Sequence, residues 1–282
     1  MIHTDDFGPH STGSPAEYRA ASTRLARMTK ARVVSTSYRL APANPFPGPV
    51  PDTLVAYASL LYPPSGSHHR PVSPRNVVLA GNSAGANLCF ALTRFLLQLQ
   101  RNNQNAIKPD SKVLFSGREV PLPLPAGIAT TSGWCDQCDA LPSWRDGGEN
   151  DILGILQPAL LPGFPTDDLW PSKPPREHPY CVAATLDHEL VSPAAVGDRT
   201  GAPPMWFGCG SEERGLDGNK AVASRAAQCG VPVLWNEYAG MPHEFAMLMG
   251  GIPQAKHCLK AWANACNAMV AGQVIRSQGK LM

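Results

Sequence analysis

Residues 77–88 read VVLAGNSAGANL, and this stretch decides the fold. Val77, Val78 and Leu79 form an aliphatic run without alternation, the pattern of a strand covered on both faces. Beyond Gly85, Leu88, Leu92, Phe95, Leu96 and Leu99 recur at helical spacing along one face. Ser83 therefore falls on a strand-to-helix turn, the setting in which Gly-x-Ser-x-Gly has chemical meaning. Gly81 and Gly85 lack a Cβ, so strand and helix can close around a strained serine. Its hydroxyl is lifted clear of the sheet at the positive end of a helix. Ser83 reads as a nucleophile, and a glycine-rich turn with an incidental serine is the bland alternative.

The rest of the chain alternates strands and helices, which predicts a mainly parallel sheet with helices on both faces. Ser14-Pro15-Ala16-Glu17 has the form of a capping box opening a helix with Tyr18, Ala21, Leu25 and Met28 inside. A strand over Arg32–Ser37 follows, then a helix capped by Asp52 with Leu54, Ala58 and Leu61 inward. After the serine helix come a strand near Ala126–Thr131, a strand at Met205–Cys209 and a helix over Asn219–Gln228. A strand over Val231–Tyr238 and a helix from about Gln254 close the chain. At 282 residues and 43% hydrophobic, one large core suffices, so residues 1–282 form a single α/β domain. Two stretches break the pattern. Pro63–Arg75 reads as a surface loop, and the Pro/Gly-rich 146–179 as a cap or lid excursion over the active-site face.

Composition excludes more than it assigns. A net charge of +2 with 16% charged residues offers no basic face for nucleic acid or acidic lipid. No window approaches the ~18 apolar residues of a membrane span, and MIHTDDFGPHSTGSP has no signal-peptide core. Eight cysteines in so long a chain are not a disulfide scaffold, and the expected compartment is the cytosol. Cys135-Asp-Gln-Cys138 imitates a redox motif, but no second pair completes a zinc site and no helix pattern starts there. Two ordinary thiols are expected, with no metal and no organic cofactor.

A nucleophilic serine needs a base, and the base an orienting acid. Of eight histidines, His243 in GMPHEF lies just after the last predicted strand, where a loop would hold it over the sheet edge. His178, His188, His68, His69 and His257 fall in loops or on the final helix. The acid should follow the preceding strand, where GCGSEERGLD supplies Glu212, Glu213 and Asp217.

At this point the sequence resembles a known family, the hormone-sensitive-lipase-like α/β-hydrolase esterases, which include the arylacetamide deacetylases. Besides GNSAG it carries Tyr38-Arg39-Leu40-Ala41-Pro42 followed by Asn44-Pro45-Phe46-Pro47. Ser192-Pro193, Ala202-Pro203-Pro204 and Gly240-Met241-Pro242-His243 follow in the family's order. The similarity runs from about Gly13 to Leu248. In the family the acid stands four residues before a second carboxylate, which selects Glu213 with Asp217 as that second group. Glu212 and Asp217 are the fallbacks.

The resemblance implies an α/β-hydrolase fold shortened at its N-terminal edge. It implies a Ser83-His243-Glu213 triad acting on a small or medium acyl ester. The family's His-Gly-Gly-Gly, whose amides form most of the oxyanion hole, aligns here with Asp6-Phe7-Gly8-Pro9. Proline has no N–H to donate, so the hole is expected to rest on the Ala84 amide and Gly8. Two alternatives use the same fold. One is a non-catalytic binding protein that keeps the pocket, and the other an acyltransferase with an alcohol acceptor.

Overall fold

The strand that precedes Ser83 runs from Val78 to Asn82, every residue buried, and it is third of six in one sheet. The computed structural model describes residues 2–4, 16, 18–105, 112–146, 150–153 and 178–273. In chain order the elements are β1 (Ile2–Thr4), α1 (Arg19–Thr29), β2 (Val34–Thr36), α2 (Pro49–Leu61), β3 (Val78–Asn82) and α3 (Ala84–Asn105). Then come β4 (Val113–Phe115), β5 (Arg118–Val120), β6 (Gly127–Thr131), α4 (Pro142–Asp146), β7 (Met205–Gly210) and α5 (Leu216–Gln228). The last three are β8 (Val233–Tyr238), α6 (Phe245–Leu248) and α7 (Pro253–Val270). The sheet order is β2-β1-β3-β6-β7-β8, and each adjacent pair is parallel. The strand leading into Ser83 is thus interior.

Alternation along the strands feeds two separate cores, because neighbouring side chains point to opposite faces. Leu79, Ile128, Met205 and Phe207 join α2, α3 and α5 on one face, where Phe90 stacks on Phe207 at 5.7 Å. Val78, Ala80, Ala129 and Trp206 join α1, α6 and α7 on the other, where Trp206 stacks on Trp262 at 5.8 Å. With both faces covered, the strands need no polar alternation, and their apolar runs follow from that.

Several local expectations are corrected. Met28 is 44% exposed, and α1 instead buries Ala21, Ser22, Leu25 and Thr29. That stripe faces α7, and the Thr29 hydroxyl donates to the Leu25 carbonyl at 2.7 Å, which lets a threonine be buried there. The capping residues Ser14, Pro15 and Glu17 lie outside the described residues. Asp52 does not cap α2, whose first flanking residue is Gly48. Its carboxylate takes the Arg39 guanidinium through Nε and Nη2, each at 2.9 Å, and fastens Tyr38–Pro42 to the helix. The carboxylate met a stronger donor than a helix amide.

Two features went unread. β1 is only three residues long, too short for any periodicity, yet it bridges β2 and β3. The β4–β5 hairpin turns through Ser116 and Gly117, both with positive φ, 49° and 76°. Val-Leu-Phe-Ser-Gly-Arg-Glu-Val carries that two-residue turn openly. Of the excursion 146–179, residues 147–149 and 154–177 lie outside the described set. Among the described residues no helix is long and apolar enough to cross a membrane.

Candidate active site

Every element of the site sits at the carboxyl ends of the parallel strands, where loops from neighbouring strands converge. Ser83 follows β3 directly and has φ 49°, in the left-handed region that a non-glycine residue enters at a cost. The turn is held by its own backbone. The Ser83 amide donates to the Thr131 carbonyl at 3.2 Å, and its carbonyl accepts the amides of Ala86 and Trp134 at 3.1 and 3.0 Å. A Cβ on Gly81 would lie 2.5 Å from the Gly85 carbonyl carbon, so the first glycine of the motif is a steric requirement. Ala84 is the first residue of α3 and fully buried, and its amide follows the serine.

His243 lies beyond β8, on a loop that closes over β7. Gly210 ends β7 where a Cβ would strike the Met241 backbone, so the two loops pass in direct contact. His243 Nε2 stands 2.8 Å from Ser83 Oγ, and His243 Nδ1 stands 3.6 Å from Glu213 Oε2. All three residues are at most 2% exposed, so water does not dilute these contacts. The geometry suits a tautomer with the proton on Nδ1, facing the carboxylate, and the Nε2 lone pair facing the hydroxyl.

Glu213 is anchored through its other oxygen. Oε1 accepts the Gly210 amide at 2.5 Å and the Ser132 hydroxyl at 2.9 Å. Burial pushes its carboxyl above the ordinary range, and the His243, Gly210 and Ser132 contacts oppose that rise. Ser132 also accepts the Glu244 amide at 3.1 Å, so one hydroxyl spans Glu213 and the residue after His243. Glu244 is buried, with φ 58°, and takes the Asn82 side-chain amide and, at 3.2 Å, the Tyr18 hydroxyl.

The structure brings Ser83, His243 and Glu213 into one line and leaves the fallbacks elsewhere. Glu212 is held by the Ser211 hydroxyl at 3.2 Å, and Asp217 accepts the Ser143 amide at 2.8 Å in the first turn of α5. Gly8 and the rest of Asp6–Pro9 lie outside the described residues. His178 accepts the Tyr180 amide, His188 packs on Phe46, and His257 pairs with Tyr238. Cys135 and Cys138 are both free, and burial pushes the thiol of Cys135 well up. Among the described residues no three His, Cys, Asp or Glu side chains gather as a metal site.

Sequence reasoning missed Ser132, Glu244 and Asp151. Ser132 was within reach: Thr-Ser-Gly directly after a buried strand is polar where the sheet presents its carboxyl edge. Asp151 carried no such signal, since it lies in the irregular excursion. Its Oδ1 accepts the His243 amide and its Oδ2 the Arg214 amide, each at 2.8 Å.

Comparison with known proteins gives consistent findings. A family model described as the alpha/beta hydrolase fold matches residues 8–247. The chain is 29% identical over 253 residues to an acetyl-hydrolase of Streptomyces hygroscopicus, covering 90% of this chain and 70% of that protein. An esterase of Acinetobacter venetianus is 28% identical over 255 residues, covering 89% of this chain and 69% of the relative. Among solved structures, a hormone-sensitive lipase from a metagenome library superposes with a TM-score of 0.71 at 28% identity, over 95% of this chain and 76% of that one. The hormone-sensitive-lipase homologue EstE7 gives 0.71 at 27% identity, over 95% and 78%.

Proposed function

The chain belongs to the α/β-hydrolase-fold family, and from that premise we propose that it is a serine carboxylic-ester hydrolase of the hormone-sensitive-lipase-like kind, working through Ser83, His243 and Glu213. The observation that carries the reading is the unbroken line from Ser83 Oγ to His243 Nε2 at 2.8 Å and from Nδ1 to Glu213 at 3.6 Å. The substrate class is a small or medium acyl ester, a reading supported by relatives named acetyl-hydrolase and esterase. No metal or organic cofactor enters the reaction, and the 146–179 excursion serves as the cap on this reading.

Ser83 Oγ bonds to the ester carbonyl carbon while its proton passes to His243 Nε2. Glu213 holds the Nδ1 proton and stabilises the imidazolium. The tetrahedral oxygen takes the Ala84 amide as one donor. Collapse breaks the bond to the alcohol, which leaves with the proton from Nε2. Water, deprotonated by the same imidazole, then attacks the acyl carbonyl and returns Ser83 to its free form.

The second reading, a non-catalytic binding protein, is favoured by one observation: Asp6-Phe7-Gly8-Pro9 in place of the glycine run. Losing one oxyanion donor costs about 10²–10³ in rate, whereas reaction with an organophosphonate depends foremost on an activated serine. We therefore expect stoichiometric phosphonate adduct on Ser83, read by peptide mass spectrometry. p-Nitrophenyl acetate and butyrate should be turned over, and ethyl esters at least about 10²-fold more slowly. No adduct on Ser83 would select the binding protein, and brisk hydrolysis of ethyl esters would show that Asp6–Pro9 does not cripple the hole.

A further inference from the structure

We propose that Asp151 is a positioning residue, a carboxylate clasp that sets the distance between the base and the acid. Its two oxygens receive backbone amides from two different loops, Oδ1 from His243 and Oδ2 from Arg214, the residue after Glu213, each at 2.8 Å. A carboxyl side chain presents one acceptor oxygen to each of the two amides. Helical and strand bonds hold neither of these amides; the two loops are otherwise joined by the Glu212 amide on the Met241 carbonyl at 3.1 Å and the Gly240 amide on the Ser211 hydroxyl at 2.8 Å, and Asp151 adds a further tie beside His243 and Glu213.

Arg214 closes the ring from the other side. Its guanidinium donates from Nε to the Leu153 carbonyl at 2.7 Å and from Nη1 to the Trp144 carbonyl at 2.6 Å, on either side of Asp151 in the chain. Trp144 stacks on Trp134 at 5.9 Å, and the Trp134 amide donates to the Ser83 carbonyl at 3.0 Å. Trp144, Asp151 and Leu153 therefore touch the loops of Glu213 and His243, and reach the Ser83 turn through Trp134. The contact they govern is the loose one: Nδ1 to Glu213 Oε2 is 3.6 Å, long for a charge-assisted hydrogen bond, and small loop shifts decide whether it tightens during the reaction.

The inference rests on the roles given to Ser83, His243 and Glu213, and its test separates the two. Wild type, Asp151→Asn and Asp151→Ala are compared for kcat and KM on p-nitrophenyl butyrate. Amide hydrogen exchange is followed in peptides covering 211–217 and 240–245. Asparagine keeps one acceptor and alanine none, so kcat should fall about fivefold and about thirtyfold respectively, with KM within about twofold of wild type. Exchange should quicken in both peptides with alanine and in one with asparagine. Faster exchange with unchanged kcat would overturn the positioning role and leave the esterase reading intact. Unchanged exchange would overturn the clasp itself. If wild type turns over no ester, the esterase reading falls while phosphonate labelling still tests the triad, and exchange then decides whether the clasp exists.

Discussion

Glu213→Gln should lower kcat by about 10²–10⁴ while leaving the protein at least as stable at pH 7. The surroundings dictate which way the new amide points. The Gly210 amide and the Ser132 hydroxyl both donate to Oε1, at 2.5 and 2.9 Å. Glutamine can accept both only through its oxygen, which leaves its NH₂ aimed at His243 Nδ1. A donor there favours the tautomer with a bare Nδ1 and a proton on Nε2. That proton points at Ser83 Oγ, 2.8 Å away, and an imidazole so protonated cannot accept the serine proton.

Stability should move the other way because the Glu213 carboxyl is raised above its ordinary value of 4.5, burial being the main cause. A raised carboxyl binds its proton more tightly in the fold than in the unfolded chain. Stability is therefore lost as pH rises from the unfolded value through the folded one, and the buried charge stays costly above that. Glutamine removes the charge and keeps the shape. Scanning calorimetry at pH 7 should give a Tm equal to or above wild type, with the difference shrinking toward pH 4. A Tm several degrees lower at pH 7 would mean that the ionised carboxylate stabilises the fold, and would sink this account.

Ser83 was legible because its flanks have opposite periodicities, an unbroken aliphatic strand before it and a helical stripe after it. His243 was legible because it follows the last strand on the carboxyl side. Glu213 could not be told from Glu212 by spacing to any element, since both follow β7 on one loop. Their difference is which way the chain turns after Gly210, and the family's carboxylate spacing supplied the choice. Asp151 acts through backbone amides far away in sequence, and amides carry no residue identity to pair with. β1 illustrates the limit at the level of fold: three residues bond on both edges to β2 and β3, and that pairing is entirely non-local. Met28 shows a smaller failure, since a helix stripe read from apolar residues alone cannot foresee that Thr29 hides its hydroxyl in its own helix.

Gly81→Ala should be among the most damaging substitutions available to this chain, although it adds one methyl group. The backbone conformation at Gly81 is open to any residue, so the objection is wholly one of space. A Cβ there would lie 2.5 Å from both the carbonyl carbon and oxygen of Gly85 and 2.6 Å from the Ala86 nitrogen. Those are backbone atoms of the first turn of α3, and no side chain can swing aside to relieve the contact. Either β3 or α3 must retreat, and overpacking of this kind costs ~3 kcal/mol or more. Both elements also carry Ser83, so the retreat shifts Oγ from its place 2.8 Å from His243 Nε2. A displacement near 1 Å costs about 10² in rate. The expected result is a Tm lowered by about 5 °C or more, with kcat down at least about 10²-fold in whatever protein folds. Gly197→Ala is the control, because a Cβ at Gly197 meets nothing within 4 Å. It should be neutral or stabilise by about 0.4–1 kcal/mol, since alanine narrows the unfolded ensemble. If Gly81→Ala matched Gly197→Ala in both Tm and kcat, the close approach of β3 and α3 would not be what forms the nucleophile turn.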